Sequence, residues 1–305
     1  MSDLLELDGR TIEVGKPDKV LFGEAGITKR DLVDYYTRVA EWMLPHVRGR
    51  PLTMHRFPDG IEAGGFVQQQ VSSHFPDWIR TVTVAAQERE VTHVVCDDAS
   101  TLAYLADQAV ITLHVWPATM DDLEAPDRLI FDLDPPEGTD DPAPVRDAAG
   151  AVRELLDELS LQARIMTTGS KGFHVVVPLE ARRGFEEVRD FARRCAGVLA
   201  ARHPDDLTTE QRIAKREGRV FVDYLRNAYG QTTVAPYAVR ARPGAPVATP
   251  IDWKELPTTS PRSYTVANLF RRMGQKDDPW AGDGIGNQSL TSARETLESL
   301  EETDA

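Results

Sequence analysis

Two aspartates, Asp132 and Asp134, end an apolar run in the sequence RLIFDLDPPEG at residues 128–138. In a β-strand, side chains two positions apart point to the same side, so the two carboxylates project together. The double proline that follows cannot continue a central ladder, which predicts a strand terminus, where ligand sites are common. Adjacent carboxylates repel each other unless a cation lies between them, and oxygen ligands of this kind suit Mg²⁺ or Mn²⁺.

A third carboxylate, Asp223, interrupts the apolar sequence VFVDYL. On a strand beside Asp132 and Asp134, it would complete a two-metal clamp for phosphoryl transfer. A lone pair of aspartates is also typical of a solvated strand end. The metal interpretation therefore depends on Asp223 lying near the pair.

A glycine-containing loop stands in TTGSKGFHVVVP at residues 167–178, where two glycines flank Ser170 and Lys171. Small residues let backbone N–H groups approach phosphate oxygens, and Lys171 and His174 could add hydrogen-bond donors to a triphosphate. The spacing differs from GxxxxGK[ST], so this is not a P-loop. A plain hairpin turn with a buried core histidine is the alternative interpretation.

Basic residues surround Asp223 in the segment 215–243. They are Lys215, Arg216, Arg219, Arg226, Arg240 and Arg242. A metal-binding carboxylate among guanidinium groups is what binding of a polyphosphate together with a nucleic-acid backbone would require. Arginines that only solvate a hairpin are the alternative.

The elements that position these residues alternate between helices and strands. Thr28 as N-cap and Asp31 three residues later predict a helix that begins in GITKRDLVDYY and ends before Pro45. Further helices are predicted in TLAYLADQ, APVRDAAGAVRELLDELS and RGFEEVRDFARRCAGVLAARH, and strands in LTMHRF, AVITL, ARIMTTG, FHVVVPL, VFVDYL and TTVAPYAVRA. This mixture, with its hairpin-like pairs, indicates an α+β fold of mixed α/β layers without regular βαβ units.

Two regions are predicted to lie outside this layered core. Proline and glycine enrichment from Pro243 to Pro261 predicts a long surface loop. Residues 276–305 form an acidic polar tail that we expect to be mobile or loosely docked.

Composition indicates a globular protein, with 305 residues of which 41% are hydrophobic and 28% charged. The N-terminus lacks the pattern of a signal peptide and no stretch is long enough to span a membrane, so we expect a cytoplasmic protein. Only Cys96 and Cys195 are present, which supports neither a disulfide framework nor a zinc site. Both are expected to be buried, inert thiols.

The net charge of −14 argues at first against a nucleic-acid partner. The charge is unevenly distributed, however. Residues 121–158 and 292–305 together hold 18 acidic and four basic residues, so these two segments account for the entire net charge of −14. Exposed charges are screened beyond about 8 to 10 Å at physiological salt. A local basic groove therefore stays compatible with phosphate binding.

Three segments, FDLDPP, TTGSKGFHVVVP and VFVDYLRNAYGQTTVAPYAVRARPGAPVATPIDWKEL, resemble in this order the polymerase domain of bacterial DNA ligase D, a branch of the archaeo-eukaryotic primase superfamily. The resemblance extends from PDKVLF near Lys19 to WKEL at Glu255. It implies a primase-like catalytic core of central, mostly antiparallel sheets flanked by helices. We expect a single domain over 1–275, with an N-terminal module of about 1–110 and a metal and nucleotide module of about 111–275.

The resemblance also implies roles for individual residues. Asp132, Asp134 and Asp223 would hold two divalent metals, Mn²⁺ or Mg²⁺, which activate a primer 3′-hydroxyl for attack on the α-phosphate of a nucleotide. The residues that resemble the family's nucleotide contacts are Thr168, Ser170, Lys171, His174 and Arg240, with His114 near the sugar. Thr168 stands where serine is usual, and Gln231 where lysine is common.

The resemblance assigns four further residues to DNA binding. Lys19 and Lys29 resemble the pair that binds a downstream 5′-phosphate. Arg216 resembles an arginine that positions the template, and Phe66 resembles an aromatic residue that stacks on a template base. The loop around Phe66 departs from the family pattern. Val67 replaces a second aromatic residue, and Gln68–Gln70 stand where positive charge is expected, which weakens the expected grip on the template.

The resemblance implies a primase-polymerase that extends primers across short gaps or broken ends in DNA repair, preferring ribonucleotides and Mn²⁺. A separate ATP-dependent DNA ligase and the end-binding protein Ku would be partners, because the chain has room for neither a ligase nor a nuclease domain. We expect a monomer associated with the nucleoid. Primer-free primase activity, a non-catalytic module that binds 5′-phosphorylated ends, and a generic metal phosphohydrolase are the alternatives.

Overall fold

The computed structural model describes residues 2–85, 89–282 and 284–303. The chain forms two compact units. Unit 1 comprises Met1–Asp121, Thr232–Thr249 and Tyr264–Gln275, and unit 2 comprises Asp122–Gln231, Pro250–Ser263 and Lys276–Ala305. These boundaries differ from the predicted modules of about 1–110 and 111–275, because two segments after residue 231 pack with the N-terminal part of the chain.

The described residues contain helices and β-strands in alternation. The helices are α1 (Lys29–Val47), α2 (Ala99–Asp107), α3 (Ala143–Glu158), α4 (Phe185–Arg202), α5 (Leu269–Met273) and α6 (Thr291–Thr303). The strands are β1 (Ser2–Leu7), β2 (Arg10–Gly15), β3 (Val20–Phe22), β4 (Ile27–Thr28), β5 (Leu52–Arg56), β6 (Phe66–Gln68), β7 (Thr81–Ala85), β8 (Glu90–Val94), β9 (Val110–Val115), β10 (Arg128–Asp134), β11 (Arg164–Thr167), β12 (Phe173–Pro178), β13 (Leu207–Thr208), β14 (Val220–Asp223), β15 (Thr233–Val234) and β16 (Pro250–Ile251).

Unit 1 contains an antiparallel sheet of order β15-β9-β5-β6 and the hairpins β1–β2, β3–β4 and β7–β8. Helix α1 begins as predicted, because Thr28 and Asp31 form a reciprocal capping box. It continues through Pro45 to Val47, beyond the predicted end. Its apolar stripe is buried and packs against α2.

Unit 2 contains a six-stranded sheet of order β13-β14-β10-β12-β11-β16, antiparallel except for the β13–β14 pair. Helices α3 and α4 pack against β10. Leu129, Phe131 and Leu133 are fully buried on one face of β10. The alternation of the strand therefore directs Asp132 and Asp134 to the other face. Antiparallel sheets with helices confirm the predicted α+β class.

The sequence TTVAPYAVRA forms a strand only at Thr233–Val234, so its prediction as a longer strand was wrong. Pro236 has no N–H group to donate, and Tyr237 has a φ of 65°, which a strand does not accommodate. Side-chain hydroxyl groups of unit 1 bond to the backbone of Tyr237 and Val239 where a longer ladder was predicted.

The proline-rich segment after Pro243 is not a surface loop along its whole length, contrary to the prediction. Residues 245–251 are buried, and they include strand β16 at the edge of the unit 2 sheet. Apolar residues between the prolines account for this burial, since Val247, Ala248 and Ile251 are almost inaccessible to solvent.

The acidic tail packs on unit 2, so the expectation of loose docking was wrong. Helix α6 buries Ala293 and Leu297, and Arg194 on α4 donates to both carboxylate oxygens of Glu301. Apolar residues at helical spacing thus anchor a segment whose composition is otherwise polar. Asp283, Asp304 and Ala305 lie outside the described residues.

Both cysteines are free and buried, as predicted, and burial raises the pKa of each thiol. No helix in the described part of the chain has the length and apolar composition needed to cross a bilayer.

Leu297→Ala tests the docking of α6. Because Leu297 is 0% exposed, we expect the free energy of unfolding to fall by about 2 to 4 kcal/mol in chemical denaturation. Leu4→Ala is the matched control, since Leu4 is 69% exposed and its loss should change stability by less than about 0.5 kcal/mol. Equally small effects of both substitutions would contradict the packed tail.

Candidate active site

Asp132, Asp134 and Asp223 lie on one face of the unit 2 sheet. Asp132 on β10 pairs directly with Asp223 on β14 in the antiparallel register, and Asp134 follows two positions along β10. The side chains of Asp132 and Asp223 are only 14% and 7% exposed. The sequence-predicted carboxylates are therefore brought together at the ends of two neighbouring strands.

His174 pairs with Asp132 from the opposite side, on strand β12. Its Nε2 atom lies 3.3 Å from Oδ1 of Asp132, and its side chain is buried. A histidine, an aspartate and a second aspartate thus form one row across three adjacent strands. The contact found for His174 is with a carboxylate, and its predicted role as a triphosphate ligand stays a prediction.

Arg226 lies between the two paired carboxylates. Its Nε atom is 3.4 Å from Oδ2 of Asp132 and 3.3 Å from Oδ2 of Asp223. The sequence placed Arg226 among the basic residues around Asp223 but gave no sign of this contact. The contact depends on how β10 and β14 are aligned.

Asn227 fixes the turn that carries Arg226, and sequence reasoning missed it. Its amide oxygen accepts from the Ile130 N–H (2.8 Å), and its amide nitrogen donates to the carbonyls of Ile130 (2.7 Å) and Tyr224 (2.9 Å). The side chain is fully buried. A single amide therefore ties the turn at Leu225–Asn227 to strand β10.

Burial and mutual repulsion disfavour the ionised forms of the clustered aspartates. Burial, followed by the charges of Asp132 and Asp223, raises the pKa of Asp134 to about 6. Burial also raises the pKa of Asp223, which Arg226 opposes. A divalent cation would relieve this repulsion.

The oxygen donors fit Mn²⁺ or Mg²⁺, which prefer carboxylate ligands. Across residues 2–85, 89–282 and 284–303, no three His, Cys, Asp or Glu side chains are already gathered in a metal-binding arrangement. The Arg226 guanidinium lies beside the two paired carboxylates instead, 3.4 Å from Oδ2 of Asp132 and 3.3 Å from Oδ2 of Asp223. The residues that would hold metal are Asp132, Asp134 and Asp223.

The glycine-containing loop closes through the hydroxyl of Thr168. This hydroxyl donates to the Gly172 carbonyl (2.9 Å) and accepts from the N–H groups of Ser170 (3.2 Å) and Gly172 (3.3 Å). Thr168 is buried, and its hydroxyl is engaged within the loop. The departure from serine therefore keeps the group that holds the loop together.

Gly172 brings this loop against the aspartate strand. A Cβ atom at position 172 would lie 1.7 Å from the carbonyl oxygen of Leu133, so no larger residue fits. Lys171, at the exposed tip, is consequently held beside the end of β10.

Arg262 adds an anchor that the sequence did not reveal. Its Nε atom donates to the Ser170 carbonyl at 2.8 Å. Ser170, Lys171 and Arg262 line a cleft of about 210 Å³ that also contains Pro135 and Asp140. Lys171 of the loop and Arg262 therefore line one small cleft, together with the acidic residues Asp140 and Asp141.

Arg216 lies close to the carboxylates of unit 2. Its guanidinium stacks over Phe221 at 4.1 Å from the ring centre, and Phe221 pairs with Asp134 across the strands. The charge of Arg216 lowers the pKa of Asp134, although burial has the larger, opposite effect. The predicted contact of Arg216 with a template strand is not tested by this arrangement.

His114 and Arg240 belong to unit 1. His114 on β9 pairs with Thr53 on β5 and with Val234 on β15. The pKa of the His55 imidazole on β5 is lowered by burial and then by the positive charge of Arg240. Unit 1 thus carries its own group of polar side chains near His114.

Hydroxyl groups brace the irregular segment before Arg240. Tyr35 donates to the Tyr237 carbonyl (2.7 Å), and Thr112 donates to the Val239 carbonyl (2.8 Å). The Val239 N–H donates to the hydroxyl of Tyr36 (3.1 Å). These bonds satisfy backbone groups that would otherwise be buried without partners.

Lys19 and Lys29 are neighbours in the backbone, and their predicted role in binding a 5′-phosphate stays a prediction. The Lys29 N–H donates to the Lys19 carbonyl at 2.8 Å, so their backbones are adjacent. Each ammonium group has an acidic partner, with Lys19 2.7 Å from Asp59 and Lys29 3.2 Å from Asp107.

Phe66 is available at the surface, with 49% of its area exposed, and Val67 beside it is 63% exposed. The glutamines that follow have structural contacts. Gln68 accepts from Arg56 (2.9 Å) and donates to Ser72 (2.7 Å), and Gln70 accepts from the Thr92 N–H (3.0 Å). They fix the loop that presents Phe66.

Asp134→Asn tests the charge imbalance through its dependence on pH. A carboxyl whose pKa rises from 3.8 to about 6 makes the folded state bind more protons than the unfolded state between these values, so stability falls as pH rises across this window. In the presence of a chelator, we expect the substitution to raise the thermal midpoint at about pH 7.5 and to have no such effect near pH 4.

Asp205→Asn, at an exposed position, is the control and should change neither midpoint. A gain for Asp134→Asn that is the same at both pH values would contradict this account.

Comparison with known proteins identifies the family. The family model described as the LigD primase-polymerase domain matches residues 28–280. The multifunctional non-homologous end joining DNA repair protein LigD of Mycobacterium tuberculosis is 36% identical over 269 residues, covering 86% of this chain and 35% of that protein. LigD of Pseudomonas aeruginosa is 34% identical over 289 residues, covering 92% of this chain and 34% of that protein.

A solved structure, the polymerase domain from Mycobacterium tuberculosis ligase D in complex with DNA, superposes with a TM-score of 0.82 at 34% identity. The match covers 88% of this chain and 96% of that one. The chain spans about a third of the length of the two LigD proteins above. It belongs to the LigD primase-polymerase domain family, a family of DNA-directed nucleotidyltransferases.

Proposed function

We propose that the chain is a template-dependent nucleotidyltransferase that extends primers at short gaps or DNA ends. The observation that carries this proposal is the pairing of Asp132 with Asp223, with Asp134 on the same face and the Thr168–Gly172 loop beside it. Family membership and the DNA complex of the similar Mycobacterium tuberculosis domain support it.

The carboxylates supply the metal site in this proposal. When bound there, two divalent cations would lower the pKa of a primer 3′-hydroxyl and stabilise charge on the transferred phosphoryl group. The sheet register places Asp132 and Asp223 directly opposite each other on neighbouring strands before any ligand arrives. His174 restrains Oδ1 of Asp132 from the adjoining strand.

The glycine-containing loop would bind the nucleotide. Lys171 and Arg262 flank the cleft beside β10, and the closed loop holds Lys171 with little loss of backbone entropy on binding. In unit 1, Arg240 would contact the triphosphate and His114 the sugar. The hydroxyl brace before Arg240 keeps that residue in place.

DNA binding would use residues of unit 1 together with Arg216. Lys19 and Lys29 would bind the 5′-phosphate of the downstream strand, and exposed Phe66 would stack on a template base, a contact worth about 1 to 3 kcal/mol in other single-strand binders. The glutamines after Val67 hold this loop without adding positive charge. The Arg56 guanidinium lies 5.6 Å from the ring centre of Phe66, so a base stacked there would also be near a positive charge.

The biological setting of this proposal is non-homologous end joining or gap filling. The similar LigD proteins are named for end joining. We further propose that the enzyme prefers ribonucleotides and Mn²⁺ and acts as a monomer. It would work in the cytoplasm at the nucleoid, together with Ku and a separate ATP-dependent ligase.

Primer extension on a single-nucleotide gap with a 5′-phosphate tests the function. With Mn²⁺ and each NTP and dNTP, we expect templated addition by the wild type. Asp132→Asn should reduce the rate about a thousandfold because it weakens the metal site. Asp205→Asn should retain the wild-type rate. No addition by the wild type, with gap binding intact, would favour a non-catalytic end-binding module.

Lys19→Ala and Lys29→Ala test the phosphate site. Each should weaken binding to a 5′-phosphorylated gap about tenfold, because it removes a charge-assisted hydrogen bond, while binding to a 5′-hydroxyl gap should change little. Lys254→Ala, at an exposed position, is the control. Equal affinity of the wild type for both gaps, measured by fluorescence anisotropy, would exclude this role.

A further inference from the structure

We propose that Arg226 and a divalent cation are mutually exclusive partners of the Asp132–Asp223 pair, so that metal binding requires the guanidinium to leave. The inference rests on the proposed function, because it assigns metal to this pair. It goes beyond that function by naming a residue that sets the affinity of the site for metal.

The position of Arg226 carries the inference. One nitrogen, Nε, lies 3.4 Å from Oδ2 of Asp132 and 3.3 Å from Oδ2 of Asp223. Mg²⁺ and similar cations bind carboxylate oxygens at about 2.1 Å and need them in a compact shell. A cation that drew both Oδ2 atoms inward would approach a group of like charge, so the two cannot share these oxygens.

The other oxygens of the pair are restrained by different groups. Oδ1 of Asp132 lies 3.3 Å from Nε2 of His174, and Oδ1 of Asp223 accepts from the Leu225 N–H at 2.7 Å. In each aspartate, Oδ1 has a contact with a neighbouring group and Oδ2 lies close to Arg226. Displacement of Arg226 would remove its contacts with the two Oδ2 atoms and leave the contacts of the Oδ1 atoms in place.

Arg226 combines a fixed backbone with a side chain that can leave. Asn227, fully buried, ties its turn to Ile130 on β10. The Arg226 side chain itself is 38% exposed, against 14% for Asp132 and 7% for Asp223. The guanidinium would stay hydrated if it rotated into solvent. The buried carboxylates would need a positive charge beside them whether Arg226 or a metal ion supplies it.

Mn²⁺ titration followed by the electron paramagnetic resonance of the free ion tests the inference. Arg226→Gln should bind Mn²⁺ about five to ten times more tightly than the wild type, because the competing ion pairs are removed. Arg226→Lys, which keeps one compact charge, should lie between them. Arg193→Gln is the control for net charge, since Arg193 forms an exposed ion pair with Asp190, and it should match the wild type.

Thermal unfolding provides a second readout. In a chelator, Arg226→Gln should unfold at a lower temperature than the wild type, and saturating Mn²⁺ should remove most of this difference. A stability loss that persists in Mn²⁺ would show a purely structural role for Arg226. Unchanged or weaker Mn²⁺ affinity in Arg226→Gln would also overturn the inference.

Asp132→Asn and Asp223→Asn separate this inference from the proposed function. If both abolish Mn²⁺ binding while Arg226→Gln leaves it unchanged, the metal site stands and the competition does not. If the wild type and Arg226→Gln both fail to bind Mn²⁺, the metal site and the competition fail together.

Discussion

Repulsion between the carboxylates of Asp132, Asp134 and Asp223 is the constraint on which unit 2 depends. Burying three like charges on one sheet face is costly unless cations neutralise them. The surroundings reflect this requirement, since His174 contacts one oxygen and Arg226 contacts two. The sheet register brings the carboxylates together, and the contacts of His174 and Arg226 reduce the repulsion between them.

The two units hold their irregular segments by the same means. In unit 2, the Thr168 hydroxyl closes the loop that carries Lys171. In unit 1, hydroxyls of tyrosine and threonine side chains hold the backbone before Arg240. Side-chain hydroxyl groups thereby replace strand ladders where a candidate ligand contact must project from non-repetitive backbone.

Local sequence patterns predicted the fold class, α1 and the location of the three aspartates, because these depend on spacing within one segment. The contact of Arg226 with Asp132 could not be predicted, since it joins residues 94 positions apart through strand register. The longer strand predicted after Thr233 was wrong because Pro236 lacks an N–H group and Tyr237 has a positive φ. The tail was misjudged from its acidity, although Leu290, Ala293 and Leu297 already had helical spacing.

Asn227 has a consequence for how β10 and β14 find their alignment. Its amide offers Ile130 both an acceptor and a donor, as a peptide group of a neighbouring strand would. A shift of β14 by one residue would turn Asp223 to the opposite face and leave this buried amide without its partners. The bonds of Asn227 to Ile130 therefore favour one register of β14 against β10. The same register places Asp223 opposite Asp132, so the interactions that align the strands also pair the carboxylates.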